Sequence, residues 1–335
     1  MNEVETPTEL ERLKALSSIL GNDRLLVQAA GGNTSLKADG VMWIKASGTW
    51  LKEADKTDIF VPLDLHALMA AIQRDDPKCE SCLDFVLHEL NHLGLRPSIE
   101  TSVHGLMSQR VVLHVHCVNT IAWAISKDPR KQLANLLQAY RWVFVPYARP
   151  GLQLSRAIRS SIEPDSNVLI LQNHGLVVAA DTVAEAQSLL LNVVSALERE
   201  VRPAAPPDFA RLVAMAKGTD YHLPEDENCH AFATHEGSFG PATTQVFYPD
   251  HVVFLGRNIP ADFATATPAL AFRGIGTLVH KNAKPAVMPM LSCLSDVFRR
   301  LNTASALKPL ATHEIDQLLN WDAEKYRQTL VQAQP

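Results

Sequence analysis

The sequence predicts a mixed α/β fold, and three observations carry that expectation. Short apolar runs rich in β-branched residues, such as Val41–Lys45 and Val168–Leu171, read as strands. Longer stretches with helical periodicity, at 8–21 and 182–201, are interleaved with them. The 335-residue chain is 47% hydrophobic and 20% charged, ordinary for a protein with a sizeable core, and its length fits one large domain or two.

The net charge of −5, with no basic block, argues against a nucleic-acid partner. No apolar run is long enough to span a bilayer, so no membrane role is expected. Residues 1–12 are polar and acidic and do not read as a secretory signal. Five cysteines are too few, and odd in number, for a disulfide framework. A reducing cytoplasm is the expected compartment.

Thr8 and Glu11 form a capping-box pattern, and Gly21-Asn22 supplies a stop, so 8–21 is expected to be a helix. The loop Gly31-Gly32-Asn33-Thr34-Ser35 offers close backbone approach and several donors. It reads either as an anion cradle or as a plain hairpin turn. The strand Val41–Lys45 runs into Ala46-Ser47-Gly48-Thr49, a second small polar loop. Phe60–Leu63 is extended, and 65–73 and 83–93 are expected to be helical. Cys79-Glu80-Ser81-Cys82 has no second Cys pair and no thioredoxin-like strand before it, so these are ordinary thiols. Glu100–Gln109 reads as a helix placing Glu100 and His104 one turn apart. Leu133–Leu137 is a short helix, Val143–Val145 a strand, and Leu152–Ile162 a helix. In 182–201 the apolar side carries Leu189, Val193, Leu197 and Val201.

Three prolines at 203, 206 and 207 mark a boundary, giving domains 1–202 and 203–335. Beyond it, 208–217 is helical. The stretch 219–243, with His222, His230 and His235, reads as a polar surface loop. Asp250–Gly256 reads as a strand and turn, and Leu270–Val279 as two strands about a tight turn. Gly274-x-Gly276 lacks the third glycine of a dinucleotide fingerprint, because Val279 stands there. Met290–Thr303 and His313–Gln332 are closing helices.

The chemistry concentrates between Pro97 and His116. His114 and His116 lie two apart in Val111-Val112-Leu113-His114-Val115-His116, and on a strand that spacing faces both imidazoles to one side. His174 follows the strand Val168–Leu171 directly and precedes Gly175. Three neutral imidazoles with one position open is the pattern of a catalytic divalent ion. Glu100 lies one short element before the pair, where it can serve as a base. Spacing alone leaves this reading level with a coincidence of core histidines.

Together these pieces resemble the class II aldolase/adducin family. The matching residues are Gly32-Asn33-Thr34-Ser35, Ala46-Ser47-Gly48, Pro97-Ser98-Ile99-Glu100 with His104, His114-Val115-His116, Pro146-Tyr147 with Pro150-Gly151, and Asn173-His174-Gly175. They occur in the family's order and cover roughly residues 8 to 200. The chain looks closest to the aldolase portion of fused aldolase/short-chain-dehydrogenase proteins. The resemblance implies a three-layer α/β/α sandwich with a central, mostly antiparallel sheet, to which 203–335 adds a small α/β extension. It implies a divalent metal, usually Zn2+, on His114, His116 and His174, with Glu100 as catalytic acid/base. Gly32, Asn33, Ser35, Ser47, Gly48 and Ser98 match the family's substrate- and phosphate-binding positions. Sugar-phosphate aldolases of this family often carry two serines before the glutamate; Ser98-Ile99 offers one hydroxyl fewer. The implied activity is a metal-dependent lyase acting on a small carbohydrate or keto acid, in a homotetramer. Epimerase, dehydratase and decarboxylase relatives, and a non-catalytic adducin-like assembly role, are the alternatives.

Overall fold

The computed structural model describes residues 8–264, 266–301 and 306–331. Seven strands form the central sheet: β1 (Asn33–Ala38), β2 (Val41–Lys45), β3 (Phe60–Asp64), β4 (Val111–Val115), β5 (Trp142–Val145), β6 (Val168–Leu171) and β7 (Gly175–Ala180). Their order is β3-β2-β1-β4-β7-β6-β5. Every pairing is antiparallel except β5 with β6. Helices of the first two hundred residues are α1 (Thr8–Asn22), α2 (Leu65–Gln73), α3 (Thr101–Leu106), α4 (Val118–Ala124), α5 (Arg130–Leu136), α6 (Leu152–Arg159) and α7 (Val183–Ala196).

Side chains alternate across the sheet, and each set meets its own helix layer. Leu36, Leu113, Val115, Ile170, Leu176 and Val178 pack against Leu10 and Leu13 of α1, Leu133 of α5, and Leu190 and Val193 of α7. On the other face, Val112, Leu169, Leu171 and Val177 meet Val103 of α3 and Leu154 and Ile158 of α6, while Met42, Ile44 and Leu63 meet α2. This is a three-layer α/β/α sandwich. The middle strands are covered on both sides, which is why β6 and β7 read as unbroken apolar runs. Each fully buried Leu or Val contributes roughly 1.5–3 kcal/mol.

The remainder of the described chain forms α8 (Phe209–Ala216), β8 (Tyr221–His222), α9 (Ala231–Thr234), α10 (Phe239–Thr244), α11 (Pro249–Leu255), β9 (Ala269–Phe272), β10 (Gly276–His280), α12 (Val287–Phe298), α13 (Thr312–Leu319) and α14 (Asp322–Val331). Its three strands make a second sheet in the order β8-β10-β9. Its core is continuous with the sandwich, because Ala29, Ala30, Val118, Ile121 and Ile125 pack with Phe232, Phe247, Val252 and Leu291. Among the described residues, no helix is long and apolar enough to cross a membrane.

Several local expectations give way to tertiary contacts. Leu83–Leu93 is not a helix beyond the turn Leu83–Phe85. Val86 bridges Leu63, and Leu87 N–H donates to Pro62 O, so the edge of β3 holds this segment out of helical form. Residues 219–243 are not a surface loop: Cys229, His230, Phe232 and His235 are buried, and His230 Nδ1 accepts from Thr277 N–H. Asp250–Gly256 is not a strand but helix α11, with Pro249 pre-set at its first position. The 182–201 helix ends at Ala196, leaving Val201 exposed. The chain start before Thr8, and the expected helix ends at Thr303 and Gln332, lie outside the described residues.

Candidate metal centre

The strand order brings His114 and His174 together. β4 lies between β1 and β7, so His114 pairs with Asn33 on one side and Val177 on the other. Leu171 pairs with Gly175, and His174 sits in the tight β6–β7 connection between them. That turn needs a left-handed residue, supplied by Asn173 at φ 55°. His116 follows β4 by one residue.

The ring centroids of His114, His116 and His174 are 4.9–5.1 Å apart, and all three side chains are buried. Their ligating nitrogens lie within 4.8 Å of one another. His114 Nε2 is 3.2 Å from His116 Nε2. Two nitrogens on one tetrahedral zinc, each at about 2.0–2.1 Å, stand about 3.3 Å apart. His114 Nδ1–H donates to Leu176 O at 3.0 Å, which leaves its Nε2 lone pair free to ligate.

Glu100 stands at the N-cap position of α3, with its side chain turned to the cluster instead of to the helix end. Its Oε2 lies 3.4 Å from His114 Nε2, and its Oε1 3.6 Å from His174 Nε2. Oε1 and His174 Nδ1 are buried without a hydrogen-bond partner. Asn33 Nδ2–H donates to Glu100 Oε2 at 2.8 Å, and Asn33 Oδ1 contacts His104 Nε2. Ser35 Oγ closes this chain on His104 Nδ1 at 2.7 Å. Burial works to raise the Glu100 pKa, but His114, His174 and the Asn33 amide outweigh it and keep the carboxylate ionised. Burial pushes His174 and His104 down to about 3, and lowers His114 as well. Neutral imidazoles beside an ionised carboxylate are the protonation states that metal ligation requires. The donor set therefore fits a divalent ion.

Beside the cluster lies a cavity of about 30 Å³, lined by Gly32, Asn33, Ser47, Gly48, Ser98 and Glu100, with His116 and His174 at its inner wall. Gly32 at φ 64° carries the chain across β4, where a Cβ would stand 2.8 Å from His114 O. Ser47 Oγ is buried without a partner, and Ser98 Oγ accepts from Glu100 N–H at 3.2 Å. Ser35 is not in the lining; its hydroxyl is spent on His104. Tyr147 is not in the lining either, and packs on the core that the two halves share.

Three charged lining residues escaped sequence reasoning. Lys45, at the end of β2, donates from Nζ to Ala30 O at 3.0 Å. Asp250 and Glu324 come from α11 and α14. α14 roofs the cavity: the Trp321 ring before it lies under Arg149 at 3.9 Å, and the Tyr326 ring under Arg96 at 4.1 Å. Asp250 Oδ2 is 2.9 Å from His116 Nδ1. No spacing in the sequence links these to the histidines, because Asp250 and Glu324 lie far downstream of His174, beyond the proline boundary, and Lys45 lies inside an ordinary strand.

Residues 11–201 match the Class II Aldolase and Adducin N-terminal domain. The chain is 30% identical over 209 residues to an uncharacterized oxidoreductase, YuxG, of Bacillus subtilis (strain 168). That match covers 59% of this chain and 30% of the relative's length. Among solved structures, the N-terminal class II aldolase domain of a conserved protein from Thermoplasma acidophilum is 24% identical with a TM-score of 0.49, covering 59% of this chain and 95% of that one. A sugar-phosphate aldolase from Thermotoga maritima is 13% identical with a TM-score of 0.39, covering 63% and 97%.

Proposed function

The chain belongs to the class II aldolase and adducin family, and from that premise we propose that it is a divalent-metal-dependent lyase that makes or breaks a C–C bond beside a carbonyl. The substrate class is a small hydroxy-ketone, sugar or keto acid. The observation that carries the reading is the convergence of three buried imidazoles on one point with Glu100 against them. His114, His116 and His174 would hold the ion, with zinc the choice their donor set favours. When bound, it supplies Lewis acidity to the substrate's carbonyl and neighbouring hydroxyl.

The rest of the work falls to the chain's own groups. Glu100 stands where it can move a proton at the carbon that keeps the electron pair when the C–C bond breaks. Asn33 fixes one of its oxygens, which leaves Oε1 for the reacting centre. Ser47 Oγ, Ser98 and the Gly48 backbone border the space for the substrate's polar groups. That space holds roughly two water molecules, so a substrate of three or more carbons requires the α14 roof to yield. Five free, buried cysteines support a reducing compartment, and a cytoplasmic homotetramer completes the proposal.

Glu100→Gln tests the assignment. The variant should keep its metal and lose about 10²–10⁴-fold in turnover on a panel of hydroxy-ketones and keto acids, with and without phosphate. Undiminished turnover in Glu100→Gln would overturn the role of Glu100. Conversion without C–C cleavage would move the reaction to epimerisation or dehydration, and release of CO2 would move it to decarboxylation.

A further inference from the structure

His114 has its outer nitrogen held by a backbone carbonyl of its own sheet. Among the described residues, no backbone carbonyl hydrogen-bonds the outer nitrogen of His116. What faces it is Asp250, in the first turn of α11, well beyond the segment that matches the family. Asp250 is 3% exposed and its Oδ2 is 2.9 Å from His116 Nδ1. The opposite ring nitrogen, Nε2, is the one turned to His114. A carboxylate only accepts hydrogen bonds, and a neutral imidazole carries one N–H. With the proton on Nδ1, the nitrogen that faces Asp250 at 2.9 Å, the lone pair is left on Nε2, the nitrogen turned to His114. The contact is tightly enclosed: a Cβ on Gly31 would stand 2.8 Å from His116 Nδ1 and 3.2 Å from Asp250 Oδ2.

The same downstream chain grips the His174 turn. Asn173 Nδ2 donates to Phe247 O at 2.8 Å and to Lys308 O at 2.7 Å, and Lys308 Nζ donates to Gln172 Oε1 at 3.0 Å. α11 is anchored in turn by apolar packing on α12. We propose that Asp250 is the positioning residue of His116, so that the region after residue 202 is a working part of the metal centre and not an appendage. This rests on the metal-dependent reading above.

The test uses the full chain stripped of metal, with Zn2+ alone as the probe. Zn2+ affinity is measured by chelator competition on wild type, Asp250→Asn and Asp250→Ala. Arg257→Ala breaks a surface pair with Asp316 on the same α11–α13 side and serves as the control for general loosening. Asp250→Asn, near-isosteric but able to donate to Nδ1, should lose about 10–100-fold in Zn2+ affinity while metal-free thermal stability stays close to wild type. Arg257→Ala should bind as wild type does. Long-range 1H–15N spectra of the wild type need no variant to fold: His116 should show Nδ1–H with Nε2 bound to Zn2+. Asp250→Asn binding within about twofold of wild type, or His116 ligating through Nδ1, would overturn the positioning role alone. Wild type that takes up no Zn2+ would overturn this inference and the metal-dependent reading together.

Discussion

Gly175 is where the sheet and the metal cluster constrain each other most closely. Its φ is not in the left-handed region, so alanine meets no backbone strain there and the question is space alone. A Cβ at 175 would stand 2.5 Å from Val115 O and 3.2 Å from His114 Cε1. An ordinary C···O approach is about 3.3 Å, so β4 and β7 must separate by about 0.8 Å at this point. The obstacle is a carbonyl in the middle of a ladder, where Val115 pairs with Leu176, and it cannot swing aside as a side-chain tip would. Overpacking of this kind costs typically 1–3 kcal/mol. At about 2 kcal/mol, the melting temperature of a chain this size falls by roughly 3 °C. Because the same Cβ presses on the His114 ring, Zn2+ affinity should fall in parallel. Thermal unfolding of the metal-free protein and chelator competition measure the two effects. Gly240→Ala is the matched control: it lies within α10, its Cβ would meet only Arg273 Nη2 at 3.9 Å, and it should be neutral or stabilising by up to about 1 kcal/mol. A Gly175→Ala protein that melts and binds Zn2+ as wild type does would refute the close β4–β7 approach.

Asn173 holds a left-handed turn and satisfies two backbone carbonyls, one buried and one partly buried, so Asn173→Ala should destabilise by roughly 2–4 kcal/mol. Asn173→Gly, which relieves only the backbone term, should be less damaging than Ala by about 1 kcal/mol in denaturant unfolding; equal losses would show that the conformation is not strained. Burial lowers the Lys37 ammonium to about 7 in the folded chain, although its Nζ donates to the Met107 and Gln109 carbonyls. Between that value and its ordinary one near 10.4, the unfolded chain binds more protons, so stability rises with pH through this window and the full cost is present below it. Wild-type stability should therefore gain on Lys37→Met by up to about 1.4 kcal/mol per pH unit from neutrality upward; parallel pH profiles of the two proteins would contradict this.

Much of the site was legible because strand geometry makes short-range statements. A period of two puts His114 and His116 on one side, and the apolar run ending at Leu171 delivers His174 at a strand terminus. What the residues do not announce is strand order. His174 reaches the pair because β7 returns beside β4, and β7 begins at Gly175, immediately after the short turn that carries His174. Asp250 was hidden for a different reason. All seven residues of α11 are buried, Val252, Val253, Phe254 and Leu255 among them, so its apolar residues show no helical period. Its β-branched run then reads as a strand. Leu83–Leu93 erred the other way: a helical pattern lost to a single bridge with the edge of β3. Glu324 reaches the cavity through α14, a contact spanning most of the chain, which local pattern cannot foresee.

Metal content per chain, by elemental analysis of wild type and His114→Ala after identical reconstitution, tests the central claim most directly. The account predicts close to one divalent ion per wild-type chain and its loss in the variant. No ion in either protein, or equal content in both, would contradict it.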